Sequence, residues 1–465
     1  MLSDPGSVVV SKGLRSIVLG LLLAGASPSL RADPPAAVVL VTIDTLRADH
    51  LPSYGYERPT APFLDRLARD GVLFEQAFAA SSMTAPCHAS LFTGLYPPQH
   101  GVRKNEEGFA AAPQRRFRTM AEVLSEAGYT TAAFSGIGFL KSISQGFKTV
   151  DAGSGNFKHY RQADATVDKV IAWLDGRRKD ERFFLWVHLF DVHPPHHLPP
   201  PGAPSLALQT ASEADEFARR QIEDHAVDLA PFKTRAALTR SFNEYDNEVL
   251  FADSQLSRLF SAMEQRHLNE HALWIVTADH GEGLGNHGWL DHVRYLYNEA
   301  VRIPLIVYRP GLLPPGRVKA LVRHVDIMPT LFQLLEVPFS QPGFTLPGRS
   351  ILPLLEGQAM KPVVAFTLRR PWGSDHTDWE QGEVFGVQDL DWKYIVHTKG
   401  KDEFFDLRSD AYERKNLIDG SSPVKERLED LAWKTFRALL REGHEAPAQA
   451  DPAAIEELRG LGYVQ

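Results

Sequence analysis

The sequence predicts an α/β fold, in which helices sandwich a large, mostly parallel sheet and a small C-terminal antiparallel sheet plus helix follows. Four short runs predict the large sheet, because they are apolar on both faces and rich in branched residues. Helical patterns separate these runs along the chain. The runs are AAVVLVTI, RFFLWVHL, HALWIVTA and IPLIVY, which end at Ile43, Leu189, Ala278 and Tyr308.

Helix start and stop signals lie between these runs. In RTMAEVLSEAG, Thr119 and Glu122 have the spacing of a capping box, and Gly128 ends the pattern before the strand-like run YTTAAFS. TAPFLDRLARDG and residues 240–264 carry two further helical patterns. Strands and helices therefore alternate, as in a sheet with helical crossovers.

The last hundred residues have a different pattern. Short polar–apolar alternations in EVFGVQDLDWKYIVHTKGKDEFFDLRSD predict a small antiparallel sheet. Residues 424–441 predict a helix that packs on it, through Leu428, Leu431, Phe436 and Leu439. We therefore predict a main α/β domain over 36–360 and a smaller sheet-and-helix subdomain over 361–465.

The first 32 residues have the pattern of a secretory signal peptide. Lys12 and Arg15 precede a short apolar run, and small residues lead to Ala32. We expect 1–32 to be removed and the protein to be periplasmic or secreted, with no stable membrane insertion after cleavage. The net charge of −8 argues against a nucleic-acid partner. With Cys87 as its one cysteine, the chain forms no internal disulfide.

Polar residues stand where three of the predicted strands end. Asp44 follows VVLVTI, Asp279 and His280 follow LWIVTA, and three polar residues lie at or just beyond the end of FFLWVHL: His188, Asp191 and His193. Because ligands bind beyond the carboxyl ends of strands in open α/β sheets, we expect these groups to converge. Two carboxylates and an imidazole suit one divalent cation, which would stabilise negative charge on an ester oxygen.

Six stretches carry a resemblance, in order from about residue 37 to 420. They are VTIDTLRADHLPSYGYERPTAPFLDRLARDGVLFEQAFAASSMTAPCHASLFTGLYPPQHGV, TADHGEGLGNHG, RIPLIVYRPG, HVDIMPTLFQLL, GRSILPLLEG and FFDLRSDAYERKNLI. Together they resemble the sulfatase family of the alkaline-phosphatase-like superfamily. The pairs Asp44–Thr45 and Asp279–His280 are similar to those of the phosphonate-monoester-hydrolase-like and choline-sulfatase-like branches.

The resemblance implies that Cys87 is the nucleophile. In sulfatases the cysteine of a Cys-x-Pro/Ala-x-Arg motif is converted to formylglycine by a formylglycine-generating enzyme, and the hydrated aldehyde attacks sulfur. Cys87 and Ala89 match this motif, whereas Leu91 stands at the position of the arginine. The nucleophile at Cys87 is therefore expected to be formylglycine or the cysteine itself.

The resemblance also implies a metal site. One divalent ion is expected, Ca²⁺ in the first place and Mn²⁺ or Zn²⁺ as alternatives. Its expected ligands are Asp44, Cys87, Asp279 and His280.

The resemblance further implies catalytic and substrate-binding residues. His193 and His292 are expected to contact the transferred group or the leaving oxygen, where a cationic imidazole would stabilise or protonate it. Asn105 and Arg47 are the expected substrate-binding residues. The expected activity is hydrolysis of a sulfate monoester, with a sulfated small molecule or glycan as substrate.

Other functions stay open. A two-metal phosphodiesterase of the same superfamily would need an Asp-x-x-x-His pair, but Leu250 stands where Asp246 would require the histidine. A phosphate or phosphonate ester hydrolase using one metal remains an alternative, as does a catalytically inactive sulfatase-like binding protein. Leu91, in place of the motif arginine, keeps both alternatives open.

Overall fold

The computed structural model describes residues 34–109, 117–153, 160–178, 180–196, 199–207, 210–370 and 382–443. The predicted signal peptide lies outside these ranges. Within them, no helix combines the length and the apolar character needed to cross a bilayer. The described residues form two sheets with helices, which confirms the predicted α/β class.

The main sheet has eight strands in the order β4-β3-β5-β1-β6-β7-β2-β8. Its neighbouring strands are parallel except where β7 pairs with β6 and β2. All four apolar runs form strands of this sheet. Its strands are β1 (Ala37–Ile43), β2 (Val72–Phe78), β3 (Thr130–Ser135), β4 (Thr149–Ala152), β5 (Phe183–Leu189), β6 (Ala272–Ala278), β7 (Arg302–Tyr308) and β8 (Gly316–Arg323).

Helices connect and cover these strands, and the predicted 240–264 helix is part of a longer one. Short 3₁₀ turns occupy Ala48–His50, Pro52–Tyr54 and Phe139–Ile143. The α-helices are α1 (Pro62–Asp70), α2 (Thr84–Thr93), α3 (Pro97–His100), α4 (Met120–Glu126), α5 (Ala163–Leu174), α6 (Ala211–Glu223), α7 (Arg235–Gln265), α8 (Asn298–Val301), α9 (His324–Leu334), α10 (Leu352–Leu355) and α11 (Pro423–Glu442).

The three central strands bring the predicted site residues together. Strand β1 lies between β5 and β6 and is parallel to both, and all three are buried along their whole length. Ile43 is in register with Leu189 and with Ala278. Asp44 and Asp279 therefore leave adjacent strands at the same edge of the sheet, as expected.

The direction of β7 differs from the expectation of a parallel strand. Residues Arg302–Tyr308 return antiparallel to β6, with Thr277 opposite Leu305. A run that is apolar on both faces indicates that a strand is buried, but it does not indicate whether the strand is parallel or antiparallel to its neighbours. Direction follows here from the connection, because β7 comes back along β6 directly after the loop that carries the site residues.

The second sheet is antiparallel and packs under the last helix. Leu428, Ala432, Phe436 and Leu439 are the buried side chains of α11, whereas Leu431 is only partly buried. These side chains form one core with the sheet, with Tyr96 and with Val325 of α9. Its strands are β9 (Ala365–Arg369), β10 (Val384–Gln388), β11 (Trp392–His397) and β12 (Glu403–Asp406).

Candidate metal and catalytic site

Two carboxylates and one imidazole form a buried cluster beyond the ends of β1 and β6. Single ligand atoms of Asp44, Asp279 and His280 lie within 4.8 Å of one another, and all three residues are buried. His280 Nε2 is 3.4 Å from Asp279 Oδ2 and 3.9 Å from Asp44 Oδ1. Burial, and then the neighbouring Asp279 carboxylate, raises the pKa of Asp44 well above its ordinary value.

The oxygens of this cluster fit a bound cation. Both Asp44 oxygens and Asp279 Oδ2 are buried and have no hydrogen-bond partner within the described ranges. Uncompensated buried carboxylates are costly, and a divalent cation would compensate both of them. The donor set of two carboxylates and an imidazole accommodates Ca²⁺, Mn²⁺ or Zn²⁺.

Thr45 holds one of these carboxylates in place. Its backbone N–H donates to Asp279 Oδ1 over 3.2 Å, and its hydroxyl donates to the Val192 carbonyl over 3.0 Å. Its φ of 52° lies in the left-handed region, which a β-branched residue rarely adopts. This strained turn sits at the site, where it orients Asp279 and ties the end of β1 to the loop after β5.

Cys87 lies in the first turn of α2, a helix whose side chains are all buried. Its thiol donates to the Ser81 carbonyl over 3.0 Å. Burial, and then the Asp279 carboxylate, raises the pKa of this thiol well above its ordinary value. Cys87 is not part of the three-residue cluster, so its role as a ligand stays a prediction. Leu91, at the position of the motif arginine, is fully buried.

Asn105 is joined to the first turn of the same helix. Its Oδ1 accepts a hydrogen bond from the Ala85 N–H over 2.9 Å. Its Nδ2 is buried and has no hydrogen-bond partner in the part of the chain that the structure describes. Because buried amide donors are normally paired, this NH₂ group is available to an oxygen of a substrate.

A stack of imidazole rings lies beside the cluster. The ring of His292 stacks on His280, with centroids 4.6 Å apart, and meets His193 edge-on at 5.0 Å. His292 Nδ1 is 3.0 Å from Glu282 Oε2. Burial alone would lower the pKa of His292, but Glu282, followed by Asp291 and Asp44, raises it to about 9. Burial, and then His292, lowers the pKa of His193 well below its ordinary value.

The two predicted catalytic histidines therefore differ in charge. At neutral pH His292 is an imidazolium, able to donate a proton, and His193 is a neutral imidazole. Glu282 raises the pKa of His292, and the sequence patterns did not predict this pairing. The sequence feature that could have pointed to Glu282 is its place three positions after Asp279, in the stretch TADHGEGLGNHG.

Arg47 contacts protein groups around this stack. Its guanidinium pairs with Asp49 through two hydrogen bonds of 2.9 and 2.7 Å. It also donates to the Glu282 carbonyl and to Asn286 Oδ1. Arg47 thus fixes the loop that carries Glu282, and its role in substrate binding stays a prediction.

Asp246, the candidate for a second metal site, is engaged by protein groups. One of its oxygens meets His50 Nδ1 at 2.9 Å, and the other accepts from Tyr56 and Arg58. The carboxylate is fully buried. Both oxygens are satisfied without an ion, in contrast to those of Asp44.

Comparison with solved structures identifies the class of fold. The phosphonate monoester hydrolase of Agrobacterium radiobacter is similar, with a TM-score of 0.68 and 21% sequence identity. The likeness covers 88% of this chain and 96% of that one. At this identity it shows the shared fold alone.

Sequence comparison identifies the family. The family described as Sulfatase matches residues 36–337, and one described as N-sulphoglucosamine sulphohydrolase, C-terminal, matches residues 285–437. Since the first covers more than half of the chain, the protein belongs to the sulfatase family of enzymes. An N-acetylglucosamine-6-O-sulfatase of Bacteroides thetaiotaomicron is 23% identical, over 97% of this chain and 93% of the relative. An arylsulfatase of Clostridium perfringens is 24% identical, over 88% and 95%.

Proposed function

We propose that the protein is a metal-dependent sulfatase that hydrolyses a sulfate monoester of a small molecule or glycan. The observation that carries this proposal is the buried cluster of Asp44, Asp279 and His280, with its unpaired oxygens, beside the helix of Cys87. The loop between β6 and β7 stacks a cationic His292 on His280 of that cluster. Membership of the sulfatase family supports the choice of sulfate as the transferred group.

The metal ion is expected to be held by Asp44, Asp279 and His280. A bound divalent cation supplies positive charge that stabilises negative charge developing on the ester oxygens. The two carboxylates leave different strands of one rigid sheet, so their spacing does not depend on flexible loops. We keep Ca²⁺ as the expected ion, with Mn²⁺ and Zn²⁺ as alternatives.

His292 and Asn105 then act on the substrate. The imidazolium of His292 donates its proton to the oxygen of the departing alcohol, because Glu282 keeps the ring charged at neutral pH. The free NH₂ group of Asn105 donates to an oxygen of the transferred group. The neutral imidazole of His193 accepts or positions a proton beside the stacked rings of His280 and His292.

Cys87 is proposed to act after conversion to formylglycine by a formylglycine-generating enzyme. One hydroxyl of the hydrated aldehyde loses its proton and attacks the sulfate sulfur as the S–O bond to the alcohol breaks. The second hydroxyl then expels sulfate and restores the aldehyde. Burial, the first cause of the raised pKa of the unconverted thiol, opposes its charged form and supports the aldehyde over a thiolate. We also propose that the converted protein is periplasmic or secreted, which N-terminal sequencing of material from those fractions tests.

The test is mass spectrometry of the Cys87 peptide, combined with turnover of 4-nitrophenyl sulfate in Ca²⁺, Mn²⁺ and Zn²⁺. Protein from its native host is expected to carry the aldehyde and to release 4-nitrophenol. The matched control is Cys87→Ala, which keeps the buried helix and removes the nucleophile. Aldehyde-bearing protein that binds metal but cleaves no sulfate ester would overturn the proposal.

A second candidate is a one-metal hydrolase of phosphate or phosphonate esters. The buried Leu91 in place of the motif arginine favours it, because this residue departs from the motif that directs conversion. An unmodified thiol at Cys87 together with faster cleavage of 4-nitrophenyl phosphate than of the sulfate would support this candidate. Metal binding without turnover of either ester would support an inactive binding protein.

A further inference from the structure

One buried histidine of the site has a ring nitrogen without a hydrogen-bond partner. His188, the sixth residue of β5, is fully buried, and its Nε2 lies 3.3 Å from Asp44 Oδ2. Neither atom makes a hydrogen bond to any other described group. The imidazole therefore faces the carboxylate that is proposed to bind the metal ion.

The other ring nitrogen of His188 is tightly held. Its Nδ1 lies 2.9 Å from the hydroxyl of Thr42, the residue in register with it on β1. The Trp186 indole N–H donates to the same hydroxyl over 2.9 Å, and His88 Nε2 lies 3.0 Å from it. A hydroxyl has one proton and two lone pairs, so three partners saturate Thr42 and leave the His188 ring no freedom to turn.

His88 is the useful contrast within the same network. Its second nitrogen, Nδ1, lies 2.8 Å from the Thr84 carbonyl and 3.8 Å from Asp279 Oδ2, so both of its nitrogens have a hydrogen-bond partner outside the metal cluster. A histidine that only fills the core satisfies both nitrogens in this way. In His188 the network fixes one nitrogen and aims the other at Asp44.

We propose that His188 is a positioning residue that orients the Asp44 carboxylate for the metal ion. The inference rests on the metal site of the proposed function. An aspartate at a strand end turns about its side-chain bonds unless a neighbour holds it, and Asp44 Oδ2 has no hydrogen-bond partner among the described groups. Groups that hold metal ligands in this way typically contribute a factor of about 10–100 to metal affinity.

The experiment measures Mn²⁺ and Ca²⁺ dissociation constants by calorimetry on the full chain. His188→Leu fills the same space without a nitrogen and is expected to weaken binding about 10–100-fold. His188→Gln places an amide N–H₂ near the position of Nε2 and is expected to stay within about 3-fold of wild type. Rescue by glutamine is the readout that a purely structural role would not produce.

The matched control is His100→Gln. His100 is equally buried, but its nitrogens contact Ser90 Oγ and the Val102 N–H, away from both metal carboxylates. The metal affinity of the His100→Gln variant is expected to equal that of the wild type. Should His188→Leu fail to fold, Thr42→Val removes the hydroxyl that pins the ring, and we expect it to weaken binding by about 3–10-fold.

Each outcome decides one of the two ideas. Absence of metal binding by the wild-type protein would overturn the metal site of the proposed function, and the role of His188 with it. Wild-type binding that His188→Leu leaves unchanged would overturn the role of His188 alone. An equal loss of metal affinity in His188→Leu and His188→Gln would also overturn it. If Thr42→Val is used in place of His188→Leu, an unchanged metal affinity would do the same.

Discussion

Glu282 Oε2 lies 3.0 Å from His292 Nδ1, and both side chains are buried beside the proposed metal ligands. The carboxylate keeps a proton on an imidazole that burial would otherwise leave neutral. A buried acid is thereby provided next to the place where an ester oxygen would depart. The pair links two residues ten positions apart in the loop between β6 and β7.

Glu282→Gln should impair proton donation by His292. Without the carboxylate, burial favours the neutral imidazole, so kcat is expected to fall about 10–100-fold. The loss should grow with the pKa of the leaving phenol, because poor leaving groups need the proton most. The measurement is kcat across a series of substituted phenyl sulfates. Asp291→Asn is the comparison, because Asp291 accepts from the His292 backbone N–H over 2.6 Å and raises the pKa of His292 less than Glu282 does, so its loss should be smaller. An equal loss for all phenols would contradict the acid role.

Asp44→Asn should abolish stabilisation by metal without destabilising the metal-free protein. Removing one of two close buried carboxylates relieves an unfavourable charge, so the metal-free variant should melt at or above the wild-type temperature. At about 100 times its Kd, a bound ion should stabilise the wild type by about 2.7 kcal/mol and the variant not at all.

Scanning calorimetry with and without chelator measures both effects. The control is Asp253→Asn, since Asp253 is also buried but accepts from the Phe63 and Leu64 N–H groups at the start of α1. That variant should melt lower and still gain from metal. Metal stabilisation of Asp44→Asn equal to that of the wild type would rule out this ligand.

Asp246→Ala should reduce stability and leave the metal content unchanged. The substitution leaves the buried Arg58 cation without its carboxylate and removes the partner of His50 and Tyr56. The expected loss is about 3–5 kcal/mol in urea unfolding. Elemental analysis should find one ion in both proteins. Two ions in the wild type and one in the variant would instead support the two-metal class.

His287→Asn should change how stability depends on pH. Burial alone would lower the pKa of His287, but Glu299, 2.7 Å away, raises it to about 9. The ion pair therefore contributes fully below the unfolded pKa of about 6.5 and is lost as the pH rises through 9. The difference in free energy of unfolding between wild type and variant should shrink by about 3 kcal/mol from pH 6.5 to 9.5.

The control for this prediction is His267→Asn. His267 also has a left-handed φ, 56° against 54° for His287, but its side chain is mostly exposed. Its substitution carries the same backbone change but removes an exposed contact with Glu270 instead of a buried ion pair. A His287→Asn difference that stays constant across this pH range would show that the pair does not titrate in the folded protein.

Local sequence patterns predicted the strands and their ends. AAVVLVTI, RFFLWVHL and HALWIVTA became the three central strands, because runs that are apolar on both faces are stable only between two covering layers. Asp44 and Asp279 were recognisable because a charged residue directly after such a run leaves the core at its edge. The capping box of Thr119 and Glu122 was likewise local, and the structure shows it at the start of α4.

Only the tertiary structure decided which polar groups meet. The antiparallel direction of β7, the pairing of Glu282 with His292, the unpaired amide of Asn105 and the approach of His188 to Asp44 have no local signature. Each depends on strand order and loop path, which bring together residues far apart in the chain, such as Thr42 and His188 at 146 positions and Thr45 and Asp279 at 234. Periodicity reports how a segment is buried, whereas long-range pairing determines what it is buried against.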